Sequence, residues 1–167
     1  PSKDTVYSYF VDPSRKSWAN WSEKVPQQWR PPAGLSFLQI VVPTEDTVRT
    51  SFLLQSLIKT KTNVLLCGES VGKTAIIQQL LPVVSDTHQP LTINFSARTE
   101  ASAVQSIIEA NVEKRTKDVF GPPAGKQLLT FVDDLNMPTK EQFGSQPPLE
   151  LLRQHVGYGG WYDRQKQ

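Results

Sequence analysis

Residues 64–74 constrain the fold more than any other part of the chain. They read Val-Leu-Leu-Cys-Gly-Glu-Ser-Val-Gly-Lys-Thr, and a helical pattern follows at once over residues 75–81. This order predicts a strand, a turn and a helix, with Lys73 and Thr74 where the turn enters the helix. Unpaired N–H groups and the helix dipole at such a start favour a polyphosphate. Lys73 would reach the terminal phosphates, and the Thr74 hydroxyl would help to hold magnesium.

The glycine spacing departs from the phosphate-loop pattern by one residue. The pattern places four residues before the glycine of Gly-Lys-Thr, whereas Gly68 and Gly72 enclose three, which are Glu69, Ser70 and Val71. Either the loop is one residue short or Cys67 stands in the first glycine's place. A shorter loop offers one N–H fewer, and β-branched Val71 resists positive φ angles. The competing interpretation is an ordinary glycine-containing turn that binds no ligand.

Composition narrows the possible function classes. The 167-residue chain has 18 basic and 16 acidic residues and a net charge of +2, too balanced to indicate a nucleic acid or a membrane surface as partner. One cysteine excludes an intrachain disulfide framework and suits a reducing compartment. The sequence shows neither a long apolar run nor a signal-peptide pattern. We therefore expect a soluble, intracellular piece of a longer protein, large enough for one sizeable core.

Residues 1–40 and 41–167 differ in character. The first segment is rich in aromatic residues and proline, and we expect an extended arm whose rings pack on a neighbouring surface. A stacking platform for nucleic-acid bases is the alternative, but the clustered Lys and Arg that it needs are missing. In the second segment strand-like and helix-like patterns alternate, which predicts an α/β fold with a mainly parallel sheet.

Periodicity, proline and glycine place the individual elements. Thr44 or Asp46 is expected to cap the first helix, whose second half is apolar on nearly every side and is therefore predicted to be buried. Pro82 is expected to end the second helix, and Trp161 to begin a hairpin. Helices are predicted at about residues 45–59, 75–81, 100–117 and 147–156, and extended segments or strands at residues 38–42, 64–67, 91–95 and 127–132.

Two carboxylates, Asp133 and Asp134, follow the strand predicted at residues 127–132. In open α/β sheets ligands bind at the C-terminal edge of the strands. One acid there can hold magnesium and a second can orient an attacking water. We assign Asp133 to magnesium and Asp134 to the water. The competing interpretation is that the pair only begins a loop or caps a helix.

Four segments carry a family resemblance. They read Val-Pro-Thr-Glu-Asp-Thr-Val-Arg at 42–49, Ile-Asn-Phe-Ser-Ala at 93–97, Phe-Val-Asp-Asp-Leu-Asn-Met-Pro at 131–138, and Gly-Ser-Gln-Pro-Pro-Leu-Glu-Leu-Leu-Arg-Gln at 144–154. Together they resemble the third AAA+ module of dynein heavy chains, over about residues 6–164. The Asp-Asp-Leu-Asn-Met-Pro and Gln-Pro-Pro forms are similar to axonemal rather than cytoplasmic dyneins.

The resemblance implies an ATP-binding module in the six-module ring of a microtubule motor of cilia and flagella. Its fold would be the large α/β subdomain of a P-loop NTPase, incomplete at the C-terminal end. Residues 1–40 would be a linker arm from the preceding module, and residues 41–167 the nucleotide-binding subdomain. Implied cofactors are ATP or ADP and Mg²⁺. Implied partners are the neighbouring modules, other dynein chains and microtubules, without nucleic acid or membrane, in the cytoplasm, cytoskeleton and axoneme.

The resemblance also implies roles by position. The phosphate loop would comprise Gly68, Glu69, Ser70, Val71, Gly72, Lys73 and Thr74. Pro43, Thr44 and Thr47 would approach the adenine. Thr74 and Asp133 would hold the metal, and Asp134 would be the catalytic residue. Asn94 and Ser96 are weaker candidates at the same sheet edge and are better explained as turn formers.

Three departures from the family pattern bear on activity. The loop is short, Asp134 stands where many AAA+ proteins have Glu, and the sequence stops before the sensor strand, the helical lid and the arginine finger. That sensor strand would lie between the strands at residues 64–67 and 127–132, so we expect unpaired strand edges and negligible turnover in isolation. The alternatives are a structural ring segment without nucleotide and a small P-loop kinase, which the lack of an Arg-rich lid disfavours.

Overall fold

A computed structural model describes residues 4–37, 40–69, 72–123 and 125–163. The chain divides into two compact units, Pro1–Leu80 and Leu81–Gln167. Within the described ranges no helix has the length and apolar character needed to cross a bilayer.

The first unit contains a hairpin and helix α1, with a 3-10 helix on either side of the hairpin. Strand β1 (Tyr9–Asp12) pairs antiparallel with strand β2 (Ser17–Asn20). The 3-10 helices span Val6–Ser8 and Trp21–Lys24, and α1 spans Glu45–Lys59. The expectation of an extended arm is therefore wrong for this stretch, because the backbone folds back and satisfies its hydrogen bonds across the hairpin.

Aromatic packing joins the hairpin to α1. Trp21 is 4% exposed, and its ring centroid lies 4.7 Å from that of Phe10 and 5.4 Å from that of Phe52 on α1. The Lys24 ammonium lies 4.6 Å from the Phe10 centroid and 4.9 Å from the Phe52 centroid, within cation–π range. The expected packing of rings on a neighbouring surface is thus confirmed for Trp21, and α1 is that surface.

Helix α1 begins where the sequence predicts. Its N-cap is Thr44, whose hydroxyl accepts a hydrogen bond from the Thr47 N–H, while the Thr47 hydroxyl accepts from the Thr44 N–H at 2.8 Å. The prediction that the second half is buried holds for Leu54 but is wrong for Phe52 and Leu53. The aromatic packing of this unit covers only part of the helix surface.

The strand predicted at residues 64–67 is not formed. Residues 62–68 carry no helix or strand, and Leu65 is 67% exposed. A strand is stabilised by ladder hydrogen bonds to a neighbour, and an apolar run cannot supply that neighbour by itself. Of the extended segment predicted at residues 38–42, residues 38 and 39 lie outside the described ranges and residues 40–42 form no strand.

Helix α2 spans Lys73–Val83. Pro82 therefore lies within its last turn, and the prediction that proline ends the helix is wrong by one residue. The predicted core face is confirmed, because Ile76, Leu80 and Leu81 are buried.

The second unit is built on a parallel pair of strands. Strand β3 (His88–Asn94) pairs in register with β6 (Gln127–Asp133), from His88 opposite Gln127 to Asn94 opposite Asp133. Its helices are α3 (Ala101–Glu109) and α4 (Pro147–Tyr158), and its short antiparallel strands are β4 (Glu113–Lys114) and β5 (Phe120–Gly121). The buried core comprises Ile93, Phe95, Val104 and Ile108, with Leu149 and Leu152 of α4 packed against it. The expected α/β class with parallel pairing is confirmed.

Two local predictions in this unit are wrong. The third helix ends at Glu109 rather than near residue 117, because the following residues satisfy their backbone groups across the β4–β5 hairpin, where the Arg115 N–H donates to the Val119 carbonyl at 2.8 Å. Trp161 begins no hairpin within the described residues. Helix α4 starts at Pro147 as predicted and ends at Tyr158, slightly beyond the predicted end near residue 156, with the left-handed Gly159 as its C-cap.

Candidate functional site

The phosphate-loop candidate, residues 68–74, lies in the first unit and runs into the first turn of α2. Gly68 has a φ of 148° and Gly72 a φ of 105°, which residues with a side chain rarely adopt. A Cβ at either position would meet no described heavy atom within 4 Å. The backbone conformation, rather than a lack of space, is therefore what requires glycine. Ser70 and Val71 lie outside the described residues.

Lys73 is the first residue of α2, and its side chain turns back towards Gly68. Its Nζ donates a hydrogen bond to the Gly68 carbonyl at 2.8 Å. The Ile76 N–H donates to the Gly72 carbonyl at 2.9 Å, so the helical ladder starts at Gly72. Lys73 and Thr74 consequently lie in the first turn of α2, at the positive end of the helix dipole, which attracts anions.

The donors at this loop suit an anionic ligand with acceptor oxygens, the class to which phosphate belongs. An ammonium group and helix N-terminal amides are donors without acceptor capacity, and phosphate oxygens are acceptors only. The exposed Glu69 opposes an anion, because its carboxylate adds negative charge within the loop sequence.

The three residues expected near the adenine also belong to the first unit. Pro43 and Thr47 line an open groove of about 450 Å³, while Thr44 and Thr47 form the cap of α1. The Thr47 hydroxyl also donates to the carbonyls of Val42 and Thr44, at 3.2 and 3.1 Å. These threonines therefore shape the backbone before α1, whatever else they contact. The groove is further lined by Lys24, Pro26, Trp29, Val41, Val48, Ser51, Phe52, Gln55 and Gln79.

The acidic pair lies in the second unit, at the C-terminal edge of the parallel strands. Asp133 is the half-buried last residue of β6, directly opposite Asn94. Its carbonyl accepts the Phe95 N–H at 3.0 Å, and its carboxylate accepts the Asp134 N–H at 3.1 Å. Asp134 is exposed and has a φ of 54°, in the left-handed region. Asp133, Asp134 and Asn94 thus meet at one sheet edge, as their positions predict.

Ser96 lies just beyond that edge. Its N–H donates to the Thr99 hydroxyl at 2.8 Å, and the Thr99 N–H donates to the Ser96 carbonyl at 3.1 Å. These bonds form the turn between β3 and α3, which agrees with its interpretation as a turn former.

Two further residues hold the loop after β6, and sequence reasoning missed both. The Thr139 hydroxyl donates to the Ala97 carbonyl at 2.8 Å, and the Gln146 side-chain amide donates to the Pro138 and Asn136 carbonyls at 2.5 and 3.4 Å. The position of Gln146 immediately before two prolines that start a helix is a signal that could have identified it. Thr139 lies in an irregular loop and carries no comparable signal.

The candidate metal ligands are Thr74 in the first unit and Asp133 in the second. Across residues 4–37, 40–69, 72–123 and 125–163, no group of three or more His, Cys, Asp or Glu forms a metal cluster. Magnesium bound with a nucleotide needs no such cluster, because it is usually held by one or two protein ligands, phosphate oxygens and water.

Comparison with known proteins supplies the family. The model of the P-loop containing dynein motor region matches residues 29–167. Dynein axonemal heavy chain 2 of Homo sapiens is 52% identical over 169 residues, which cover 100% of this chain and 4% of that protein. The dynein-1-beta heavy chain, flagellar inner arm I1 complex, of Chlamydomonas reinhardtii is 48% identical over 99% of this chain and 4% of its own length. Dynein axonemal heavy chain 10 of Homo sapiens is 44% identical, over 98% and 4% respectively.

The chain therefore spans about 4% of the length of the curated relatives it matches. Within that span the agreement is nearly end to end, and the matched family model includes the phosphate-loop candidate, the acidic edge and all four α-helices. The incomplete α/β fold, with its parallel β3–β6 pair, agrees with that assignment. This chain belongs to the family of the P-loop containing dynein motor region, and its relatives are axonemal dynein heavy chains.

Proposed function

We propose that this chain is an ATP-binding AAA+ module of an axonemal dynein heavy chain, the third of its ring, whose nucleotide occupancy regulates microtubule-based motor activity. The observation that carries the proposal is the position of Lys73, at the first residue of α2 with its Nζ on the Gly68 carbonyl. Residues 1–40 would be the linker arm from the preceding module, and residues 41–167 the nucleotide-binding subdomain. The axoneme of a cilium or flagellum would be its location.

Phosphate binding would use groups that already lie at the loop. Lys73 would exchange the Gly68 carbonyl for a phosphate oxygen, so its ammonium keeps a hydrogen-bonded partner in both states. Hydrogen bonds between an ammonium and a phosphate are charge-assisted and stronger than the bond to a neutral carbonyl. The positive φ angles of Gly68 and Gly72 let the backbone approach the anion closely. Pro43, Thr44 and Thr47 would border the adenine.

Metal binding and water activation would use Thr74, Asp133 and Asp134. When bound, magnesium neutralises part of the phosphate charge. Thr74 and Asp133 would hold it, and the Asp134 carboxylate would orient the attacking water. An aspartate reaches about 1.5 Å less far than a glutamate, and a misplacement of about 1 Å can cost about a hundredfold in rate. Slow turnover suits a module that regulates by staying occupied.

Regulation would follow from binding energy. A nucleotide at one hundred times its dissociation constant stabilises the bound state by about 2.7 kcal/mol. A ligand shifts an equilibrium only by the difference in its affinity for the two states. ATP would therefore bias the packing on neighbouring modules by binding one packing more tightly than the other, with the coupling of about 1–3 kcal/mol that is typical between sites. Through the whole motor, those modules, other dynein chains and microtubules would be its partners.

The second candidate is a structural ring segment that binds no nucleotide. The one-residue deficit between Gly68 and Gly72 favours it, since it leaves one N–H fewer for phosphate, and the carboxylate of Glu69 also opposes an anion. The two candidates differ in the number of nucleotides that the complete ring binds.

A fluorescent-ATP titration of the full-length heavy chain separates these candidates. Lys73→Ala should bind one nucleotide fewer per chain than the wild type. Lys59→Ala is the matched control, because it removes the same charge from the exposed end of α1 and should bind as the wild type does. Equal stoichiometry in all three chains would establish the structural segment instead.

A further inference from the structure

The turn after β6 holds Asp134 in a conformation that aspartate does not prefer. Its φ of 54° is in the left-handed region, where a side chain crowds the following carbonyl. Such residues persist only where the surrounding structure determines them, and they concentrate at functional sites. Local bonds contribute here, since the Asp134 carbonyl accepts the Met137 N–H at 2.9 Å. The turn also receives a contact from outside itself.

That contact comes from the side chain of Gln146. Its amide Nε2 lies 2.5 Å from the Pro138 carbonyl and 3.4 Å from the Asn136 carbonyl. A primary amide has two N–H donors, so one side chain can bond two carbonyls that lie two residues apart. Gln146 is half-buried and Pro138 is buried, which reduces competition from water.

Gln146 connects the loop after β6 to helix α4, which packs on the core. It is the N-cap residue of α4, yet its side chain makes no capping bond. The next residues anchor the helix, because Pro148 is fully buried and Leu149 and Leu152 pack on the core cluster. The side chain therefore links a turn that carries the acidic pair to a helix that the core holds in place.

We propose that Gln146 is a positioning residue for the acidic pair: its amide clamps the Asn136 and Pro138 carbonyls and so keeps Asp134 at the sheet edge beside Asp133. The effect of Gln146 on ATP hydrolysis rests on the proposed function. The hydrogen-bonded clamp itself is present in the chain without nucleotide. The two aspects therefore have separate tests.

Hydrogen exchange of the nucleotide-free, full-length heavy chain tests the clamp. Gln146→Glu keeps the length and volume of the side chain but replaces the donor with an acceptor that repels both carbonyls. Amides in the peptide covering residues 134–139 should exchange at least about tenfold faster, while those of β6 stay unchanged. Gln146→Ala should behave in the same way, since no cap is lost. Gln154→Ala, on the same helix but outside these contacts, is the matched control and should match the wild type.

Unchanged exchange at residues 134–139 in Gln146→Glu would overturn the clamp. Faster exchange that extends through β6 would also overturn it, because it would indicate a general loss of stability.

Turnover tests the positioning role. The full-length chain hydrolyses ATP at more than one module in this proposal. The part of its ATPase rate that belongs to this site is the part that Lys73→Ala removes. Gln146→Glu should lower the maximal rate of that share about tenfold to a hundredfold, with KM within about threefold of the wild type. Unchanged turnover, or no Lys73-dependent turnover in the wild type, would overturn the role. If Lys73→Ala left nucleotide binding intact, the proposed function would fail, and the exchange result would still decide the clamp.

Discussion

The two parts of the candidate site differ in what supports their backbone. The acidic edge closes a parallel ladder that pairs every residue of β6 with one of β3, and Thr139 and Gln146 hold the loop beyond it. The phosphate-loop candidate is preceded by residues 62–68, which form no strand. On its other side lie the Lys73 contact to Gly68 and the first turn of α2.

This difference separates local from long-range determinants. A helix start needs only neighbours in sequence, because its cap and ladder bonds join residues three to five apart. A strand needs a partner that lies far away in sequence. The phosphate-loop candidate therefore keeps its helical half without its strand, whereas the acidic edge depends on pairing across about forty residues, from β3 to β6.

The largest expected effect is on the acidic edge. Phe95 is 4% exposed in the core of the second unit, and its N–H bonds the Asp133 carbonyl. Phe95→Ala should lower the free energy of opening of the β3–β6 ladder by about 3–5 kcal/mol, through lost burial and the cavity that remains. Amide exchange of β6 in the full-length chain measures it. Phe143→Ala is the control, because Phe143 is 93% exposed and its loss should cost less than about 0.5 kcal/mol.

If the comparison is right, Phe95→Ala should leave the exchange of the Ile76 amide, which donates to the Gly72 carbonyl at the start of α2, unchanged. Equal acceleration at α2 and β6 would show that the phosphate-loop candidate shares the support of the ladder, and the contrast between the two parts would be lost.

A smaller effect is expected at the phosphate loop. Gly72 has a φ of 105°, so Gly72→Ala should destabilise this loop conformation by about 1–2 kcal/mol. Nucleotide affinity at this site should fall about fivefold to thirtyfold, since 1.4 kcal/mol corresponds to a factor of ten. Gly157→Ala in α4 is the control: its φ is not in the left-handed region, and the change should stabilise the helix by about 0.4–1 kcal/mol. Unchanged affinity in Gly72→Ala would mean that the loop does not use this conformation to bind.

The sequence predicted the features of the site that depend on neighbouring residues. The Thr44 cap and the helix start at Pro147 follow from side chains within one turn of each position, whereas α2 begins at Lys73, two residues before its predicted start. The edge position of Asp133 and Asp134 also followed, because an apolar run ending in acids is a strong strand pattern. The Gln146 contact to the Pro138 carbonyl was not predicted, because a hydrogen bond from a polar side chain to an irregular loop produces no periodic pattern in the sequence. The strand prediction at residues 64–67 was wrong. The apolar run is typical of a strand, but a strand also needs a hydrogen-bonded neighbour, which residues nearby in sequence do not supply.

Asp134→Gly separates stability from function at the acidic edge. Glycine adopts the left-handed conformation without steric cost, so the change should relieve about 1 kcal/mol of strain in the turn. Exchange of the Met137 amide should therefore slow, while Lys73-dependent turnover should fall because the carboxylate is lost. Asp134→Asn should show the same loss of turnover with little change in exchange, since asparagine tolerates this region at least as well as aspartate. Faster exchange in Asp134→Gly would show that the aspartate side chain itself holds the turn.

The smallest expected effect concerns the hairpin of the first unit. The N–H of Ser14 donates to the Asp12 carboxylate at 2.9 Å, and this hydrogen bond, aided by Arg15, lowers the pKa of Asp12. A lowered pKa in the folded state means that the contribution to stability is fully present above the unfolded-state pKa and is lost as the pH falls through the folded-state value. Exchange of residues 9–20, corrected for the intrinsic pH dependence, should therefore accelerate slightly in acid. Asp12→Asn cannot titrate and should remove that dependence. If the acceleration in acid persisted in Asp12→Asn, another group would be responsible for the pH response. The stability of the hairpin turn would then not depend on the Asp12 carboxylate.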